Sequence, residues 1–302
     1  MAGGGGRAGY RGRPMPPPRP LLAVDAPSLL YRAFFALPKS ITDGDGHPVN
    51  ALLGTTNLLL QAIEQHDPRA VVLCFGAEAA AYRKELYPPY HAERPPVPDE
   101  LDHQWAQVEE YFGAFGWHLE GHETLEADDL LGSYAKVETE AGGSTILFTG
   151  DRDMFQCVGE RVAVLFPRGG KDGPEWIGPD EVRRRYGVEP EQVPDFIALR
   201  GDPSDGLPGA KGIGEKTAKE ILREHGTLEA AIAASVRMRP RVGAALRDGA
   251  EELRRFREIA TLVEVPVERL PDRTTDWESG AAAARARGME RLAQRLEKLA
   301  KA

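Results

Sequence analysis

Cysteine is nearly absent. Cys74 and Cys157 are the only two in 302 residues, too few for a disulfide framework or a cysteine-ligated zinc site, so reduced buried thiols are the default. The seven histidines are scattered and suggest no metal-ligand cluster. No apolar run is long enough to cross a bilayer, and residues 1–20 lack the apolar core of a secretory signal. The expected compartment is therefore the cytoplasm, with no membrane partner. A surplus of positive charge is missing too: 38 Lys and Arg face 47 Asp and Glu, a net charge of -9. That balance excludes a protein that coats nucleic acid by charge alone, so any phosphate binding must come from local cations or metal ions. A nucleotide-binding P-loop is excluded by one residue, because Glu215 separates Gly214 from Lys216 and Thr217.

What the chain does have is clustered acid. Glu126, Asp128 and Asp129 stand in Glu-Ala-Asp-Asp, and Asp151 and Asp153 flank Arg152 directly after the apolar run 145–149. Carboxylates packed side by side repel, and a fold keeps them together when a cation neutralises them or when water solvates each one. An all-oxygen set suits Mg²⁺ or Mn²⁺ rather than zinc. The competing explanation is local, with acids complementing a helix N-terminus and a polar turn.

Short apolar runs at 21–24, 70–75 and 145–149, separated by helical patterns, predict an α/β fold with a parallel, doubly wound sheet. The carboxyl ends of its strands would share one edge, where ligands bind. Asp25 ends the first run, and Asp151 and Asp153 follow the third. Glu126 to Asp129 open a helix whose apolar stripe is Leu130, Leu131, Tyr134 and Ala135, stopped by Gly142 and Gly143. Downstream, Asp202 and Asp205 precede a glycine hairpin over 201–218. In it, Gly212 and Gly214 let the backbone approach a phosphate ahead of a helix start.

Taken in order, Val24-Asp25, Tyr31-Arg32, Glu126-Ala-Asp-Asp129, Thr149-Gly-Asp-Arg-Asp153, the 201–209 segment and Gly212-Ile-Gly-Glu-Lys-Thr217 resemble the bacterial 5′-nuclease family. That family comprises the 5′-3′ exonuclease domain of DNA polymerase I and its stand-alone flap-endonuclease relatives. The likeness runs from about residue 21 to about residue 265.

The resemblance implies a PIN-like, mostly parallel sheet with a helical arch, plus a C-terminal helical lobe carrying a helix-three-turn-helix element. On this reading residues 1–20 are a disordered basic Gly/Pro-rich tail, 21–177 the nuclease domain with its arch at about 77–103, and 178–302 the DNA-binding lobe. Two helices read over 251–263 and 281–302 would complete that lobe. The resemblance also implies metal ligation by Asp25, Glu126, Asp128, Asp129, Asp151, Asp153, Asp202 and Asp205, divided between two Mg²⁺ or Mn²⁺ ions. It implies K⁺ on main-chain carbonyls near Gly209, Ala210 and Ile213. DNA contacts would come from Tyr31, Arg32, Tyr82, Tyr90, Lys211, Gly212, Gly214, Lys216 and Thr217. The reaction would be metal-assisted phosphodiester hydrolysis that leaves a 5′-phosphate. Arg83, Lys84, His91 and Arg94 would serve the scissile phosphate.

The arch sequence agrees, since it interleaves aromatic rings with cations. Its five prolines between 88 and 98 predict a segment poorly ordered until DNA arrives.

Two departures stand out. Gly76 follows the second strand where the family has Asp, so the first ion should be held weakly and Gly76→Asp should strengthen it. His91 replaces the family's lysine, making an exposed arch charge titratable. A catalytically weakened branched-DNA-binding protein and a metal-dependent ribonuclease are the alternatives. With no polymerase segment after Ala302, the expectation is a monomeric stand-alone nuclease working alongside a polymerase and a ligase.

Overall fold

A computed structural model describes residues 19–168 and 173–301. All but the last two residues of the expected basic tail lie outside them. The chain opens with β1 (Leu21–Asp25), α1 (Ala26–Ala36), α2 (Asn50–His66), β2 (Ala70–Phe75), α3 (Ala81–Leu86), α4 (Asp99–Trp105), α5 (Val108–Gly113) and β3 (His118–Gly121). It continues through α6 (Ala127–Glu140), β4 (Thr145–Phe148), β5 (Val162–Phe166), β6 (Glu175–Ile177), α7 (Pro179–Tyr186) and α8 (Val193–Arg200). The remaining helices are α9 (Glu215–His225), α10 (Leu228–Ala234), α11 (Pro240–Asp248), α12 (Ala250–Ala260), α13 (Trp277–Ala286) and α14 (Glu290–Leu299).

The six strands form one sheet in the order β3-β2-β1-β4-β5-β6, parallel except for β6. β1, β2 and β4 are apolar on both faces because helices cover both sides. From β1 the chain winds outward through β2 and β3, then returns to place β4 on β1's other side. The strand order thus reverses between β1 and β4. At such a point the helices diverge to opposite faces and leave a crevice at the carboxyl edge. Register sets what lines it: Asp25 pairs with Cys74 and Val24 with Phe148, so Asp25, Gly76 and Thr149 reach the same edge.

Two cores flank the sheet. On one face α6 packs its stripe of Leu130, Leu131, Tyr134 and Ala135 together with α8, α9 and α12. The other face holds α1, α2 and α5, and it also holds α13 and α14. This corrects the expected lobe. The helix expected over 251–263 is α12 and packs with α8 as expected, but the one expected over 281–302 is the pair α13 and α14, which closes the nuclease sheet rather than finishing the α7–α12 cluster. The cause is the narrow apolar stripe Leu292, Ala293 and Leu296, which needs an apolar surface. Each leucine buried there contributes roughly 1.5–3 kcal/mol. Arg287 Nε donates to Gln107 Oε1 at 2.8 Å, and Arg295 Nη2 pairs with Glu64 at 2.8 Å, fixing the helices on α2 and the start of α5. The segment between α12 and α13 returns across Arg69, whose Nη1 donates to Leu270 O at 2.6 Å.

Candidate metal centre

At the carboxyl end of β1, Asp25 caps α1: its Oδ1 accepts Ser28 N–H at 3.0 Å. Its other oxygen accepts Thr149 Oγ1–H at 2.6 Å across the crevice. Thr149 Oγ1 in turn accepts Asp151 N–H at 2.9 Å, and Asp151 Oδ1 accepts Asp153 N–H at 2.8 Å. A chain of short turns therefore places Asp25, Asp151 and Asp153 on one wall. The glycine hairpin supplies Asp202 and Asp205, both buried. Asp202 accepts Arg200 Nη2–H at 3.0 Å, and Asp205 accepts from His91 Nε2 at 3.0 Å and Arg94 Nη2 at 3.4 Å.

The electrostatics follow from this crowding. Burial, then Asp205, Asp25 and Asp202, push the Asp151 carboxyl from its ordinary value up to about 7. Asp153 is held well above the carboxylate range by burial and by Asp151, Asp205 and Asp202, against the pull of Arg200. Asp128 is raised well above it by burial, Asp151, Asp25 and Glu126. Asp25 is raised by burial despite its hydrogen bonds. Moreover, Asp128 Oδ1 is buried without a hydrogen-bond partner. Mutually repelling, desolvated carboxylates and an orphaned carboxylate oxygen fit a divalent cation, which would stabilise their ionised forms.

Glu126 and Asp129 are engaged differently. They form the capping box of α6, and Arg83 is buried between them. Arg83 Nη1 and Nη2 lie 3.0 and 2.8 Å from the two Asp129 oxygens, and Nη1 is 3.0 Å from Glu126 Oε1. Burial opposes the Arg83 charge, but the two carboxylates more than offset it and hold the guanidinium protonated. Asp129 also accepts Val263 N–H at 2.8 Å and Glu126 N–H at 3.2 Å. Glu126 accepts Ala80 N–H at 2.8 Å and Tyr90 Oη–H at 3.1 Å. Arg83 Nε donates to Ile259 O at 3.0 Å, so this cluster joins α3, α6 and the end of α12.

The arch segment therefore differs from expectation. It is packed, with Arg83, Tyr90 and His91 buried and Tyr82 partly so, and only Lys84 and Arg94 exposed among the candidate cations. Its prolines end helices without unravelling the segment, because Tyr90 and Arg83 anchor it to Glu126. His91 is not an exposed arch charge. It is 9 % exposed, in the left-handed region at φ 55°, stacked on Tyr90 and bonded to Asp205, with Nδ1 3.1 Å from Glu78 O.

Gly76 also has a role unseen in the sequence. A Cβ there would lie 2.5 Å from Glu126 C and Leu125 O, and closer still to Ala127 N. The backbone entering α6 has closed onto this glycine, which contradicts the expectation that a carboxylate simply adds here.

In the hairpin, Gly209 and Gly212 take positive φ of 69° and 76°. Ile213 N–H donates to Ala210 O at 2.9 Å. Lys211, Gly212, Gly214 and Lys216 are exposed and Thr217 half-buried at the start of α9. Tyr31 and Arg32 line a cleft of about 480 Å³ with Ser28, Phe35, Ala36 and Gly150, beside Asp25.

The sequence also missed a histidine grouping. Asp43, His47 and His103 bring ligand atoms within 4.8 Å, the one such group of three among the described residues. Their imidazoles stack at 4.4 Å, and an ion must lie in the plane of each ring that binds it, so one ring would have to turn out. Proximity of these residues, 56 positions apart, left no signal in the sequence.

The carboxylates thus gather at the switch point of a parallel sheet, beside a glycine hairpin at a helix start, and the family comparisons agree with that arrangement. The family described as 5′-3′ exonuclease, N-terminal resolvase-like domain, matches residues 20–187, and its C-terminal SAM fold matches 188–278. The chain belongs to the 5′-3′ exonuclease family. It is 40 % identical over 261 residues to the thermostable DNA polymerase I of Thermus thermophilus, covering 84 % of this chain and 31 % of that protein. To DNA polymerase I of Mycobacterium tuberculosis it is 37 % identical over 262 residues, covering 85 % and 29 %. The chain thus spans about a third of the length of these relatives. The T5 5′-exonuclease with bound zinc has a similar fold, with a TM-score of 0.65 at 18 % identity, covering 93 % of this chain and 97 % of that one. The catalytic core of Rad2 in complex with DNA substrate has a TM-score of 0.63 at 15 % identity, covering 92 % and 91 %.

Proposed function

We propose that this chain is a divalent-metal-dependent, structure-specific 5′-3′ exonuclease and flap endonuclease. It would hydrolyse phosphodiester bonds near the 5′ end of branched or nicked DNA. The observation that carries the reading is the crowded aspartate array, with Asp25, Asp202 and Asp205 buried, Asp128, Asp151 and Asp153 partly buried, the carboxyls of Asp25, Asp128, Asp151 and Asp153 raised, and one Asp128 oxygen unpartnered. We assign metal holding to these six, with Mg²⁺ or Mn²⁺ as the ion and two ions as the expected number. Glu126 and Asp129, spent on Arg83 and backbone donors, position the array's helix. When bound, the metal supplies an activated water and neutralises charge on the leaving oxygen.

The protein's own groups divide the remaining work. Lys84 and Arg94 are the exposed cations that meet the scissile phosphate, while Arg83 fixes α3 beneath them. Tyr31 and Arg32 hold the strand at the cleft beside Asp25. The exposed N–H groups from Lys211 to Thr217 grip the duplex backbone, and the carbonyls of Gly209, Ala210 and Ile213 are the K⁺ candidates. Contacts to backbone rather than base edges give little sequence preference. We further propose a cytoplasmic monomer that shares its substrate with a polymerase and a ligase. Among the described residues no helix is long and apolar enough to cross a membrane.

The closed backbone at Gly76 favours one second reading, a branched-DNA-binding protein with weakened catalysis. One assay separates the readings: a labelled 5′-flap DNA, its RNA counterpart and a blunt duplex, each with Mg²⁺ or Mn²⁺. Cleavage confined to the DNA flap supports the nuclease. Binding without cleavage supports the second reading, and preferential RNA cleavage removes both.

A further inference from the structure

A second concentration of charge lies beside the acidic array. Arg152, Arg168, Arg184, Arg185, Tyr186 and Glu215 line a cleft of about 310 Å³. Four separate elements converge there. Arg152 stands between Asp151 and Asp153 after β4, and Arg168 follows β5. Arg184 and Arg185 lie in the last turn of α7, and Glu215 opens α9 next to Gly214 of the hairpin.

The neutralising pairs are incomplete. Glu181 takes Arg184 at 2.5 Å and Arg185 at 2.5 Å, and Glu175 takes Arg168 at 2.6 Å and also pairs with Arg185. Glu215 is bonded to Lys219 at 2.6 Å. Among the described residues the Arg152 guanidinium makes no hydrogen bond or ion pair, although its field reaches Tyr186 and Glu215. In a chain of net charge -9, a cleft with four guanidiniums and one free fork is a local exception. A side chain that stands unpaired on a wall of like charges, at the mouth of the catalytic segment, is suited to an anionic occupant.

We propose that this cleft binds phosphodiester groups of the DNA duplex arm between the acidic array and the glycine hairpin. The planar guanidinium fork matches two phosphate oxygens at once, and several forks follow a backbone better than they hold a lone anion. Because Arg152 belongs to the Thr149–Asp153 turn and Glu215 to the hairpin helix, a phosphate held here sets the duplex's position relative to both. The inference rests on the proposal that the substrate is DNA, and it assigns these arginines to the duplex rather than to the threaded single strand.

The test is equilibrium binding of the full chain to a 5′-flap DNA in EDTA, by fluorescence anisotropy across a salt series. The double variant Arg152→Gln/Arg184→Gln should weaken binding at least about tenfold at low salt. It should also lower the slope of log affinity against log salt by about one to two. Arg152→Lys/Arg184→Lys, which keeps the charge but not the fork, should restore most of the slope and part of the affinity. Matching thermal unfolding of all three proteins identifies the loss as binding rather than folding. A single strand of the flap's length should lose less affinity than the flapped duplex. Unchanged affinity and slope in the Gln pair overturn the inference, and equal losses on single strand and duplex overturn the assignment to the duplex arm. Because binding is read without metal, a wild-type protein that binds but does not cleave would defeat the nuclease proposal and leave this one standing.

Discussion

Replacing Gly76 tests how tightly the loop before α6 is seated against the end of β2. A Cβ at 76 meets Glu126 C and Leu125 O at 2.5 Å, and both are backbone atoms. Relief to ordinary contact requires a shift of about 1 Å, because ordinary van der Waals contact of a Cβ lies at 3.4–4 Å. That shift strains Ala77 N–H to Leu125 O at 2.8 Å and Ala80 N–H to Glu126 Oε1 at 2.8 Å. Overpacking costs about 1–3 kcal/mol, and each weakened hydrogen bond adds about 0.5–1.5. Gly76→Ala should therefore lose roughly 3–5 kcal/mol and lower Tm by on the order of 10 °C, followed by circular dichroism in EDTA. Gly76→Asp carries the same displacement, so its added carboxylate should not reduce the metal concentration for half-maximal cleavage. A Gly76→Ala protein that melts within a degree or two of the native one, or a Gly76→Asp protein with native Tm and a lowered metal requirement, would refute the steric argument.

Other consequences can be measured in parallel. Arg83→Met leaves Glu126 and Asp129 buried and unpaired, which should cost roughly 3–5 kcal/mol in urea unfolding. The double change Arg83→Met/Asp129→Leu should recover part of that loss. Stability in EDTA should depend on pH through the raised carboxyls. A carboxyl raised in the fold prefers its proton there, so metal-free stability is greatest below the unfolded value near 3.8 and declines as pH climbs through the folded one. For Asp151, raised to about 7, the decline spans about pH 4 to 7 and is worth on the order of 4 kcal/mol. Cation binding opposes that loss, so the Tm gained on adding Mn²⁺ should be larger at pH 8 than at pH 5.5, and an equal gain at both would argue against a carboxylate cation site.

The sheet and its edge were legible because strands buried on both faces announce themselves as apolar runs, and an acid directly after such a run can lie only at one end. That logic placed Asp25, Asp151 and Asp153 on a common edge, where the structure has them, and placed Glu126 to Asp129 at the opening of α6. It could not tell a free carboxylate from a paired one. Glu126 and Asp129 look like their neighbours in sequence, and only the arrival of Arg83 from 43 residues upstream separates them. The arch was misjudged for a related reason: interleaved rings and cations suit a solvated strand-binding loop, yet buried acids nearby drew Arg83 and Tyr90 inward. In the sequence Gly76 looks like a missing side chain, whereas its physical content is the backbone packed against it. The C-terminal helices carried so much charge that their three-residue apolar stripe went unweighed. Thr149 had no metal-ligand chemistry to draw notice, though it joins Asp25 to Asp151.

The most direct measurement of the central claim is single-turnover cleavage of a labelled 5′-flap DNA in Mn²⁺ by the native chain, Asp151→Asn and Asp153→Asn, with flap binding measured in EDTA. An amide keeps the shape and removes one charge from the array, so cleavage by either variant should fall by at least about a thousandfold, or 4 kcal/mol in barrier, while binding stays within about threefold. Cleavage by Asp151→Asn or Asp153→Asn at near-native rates would contradict the account.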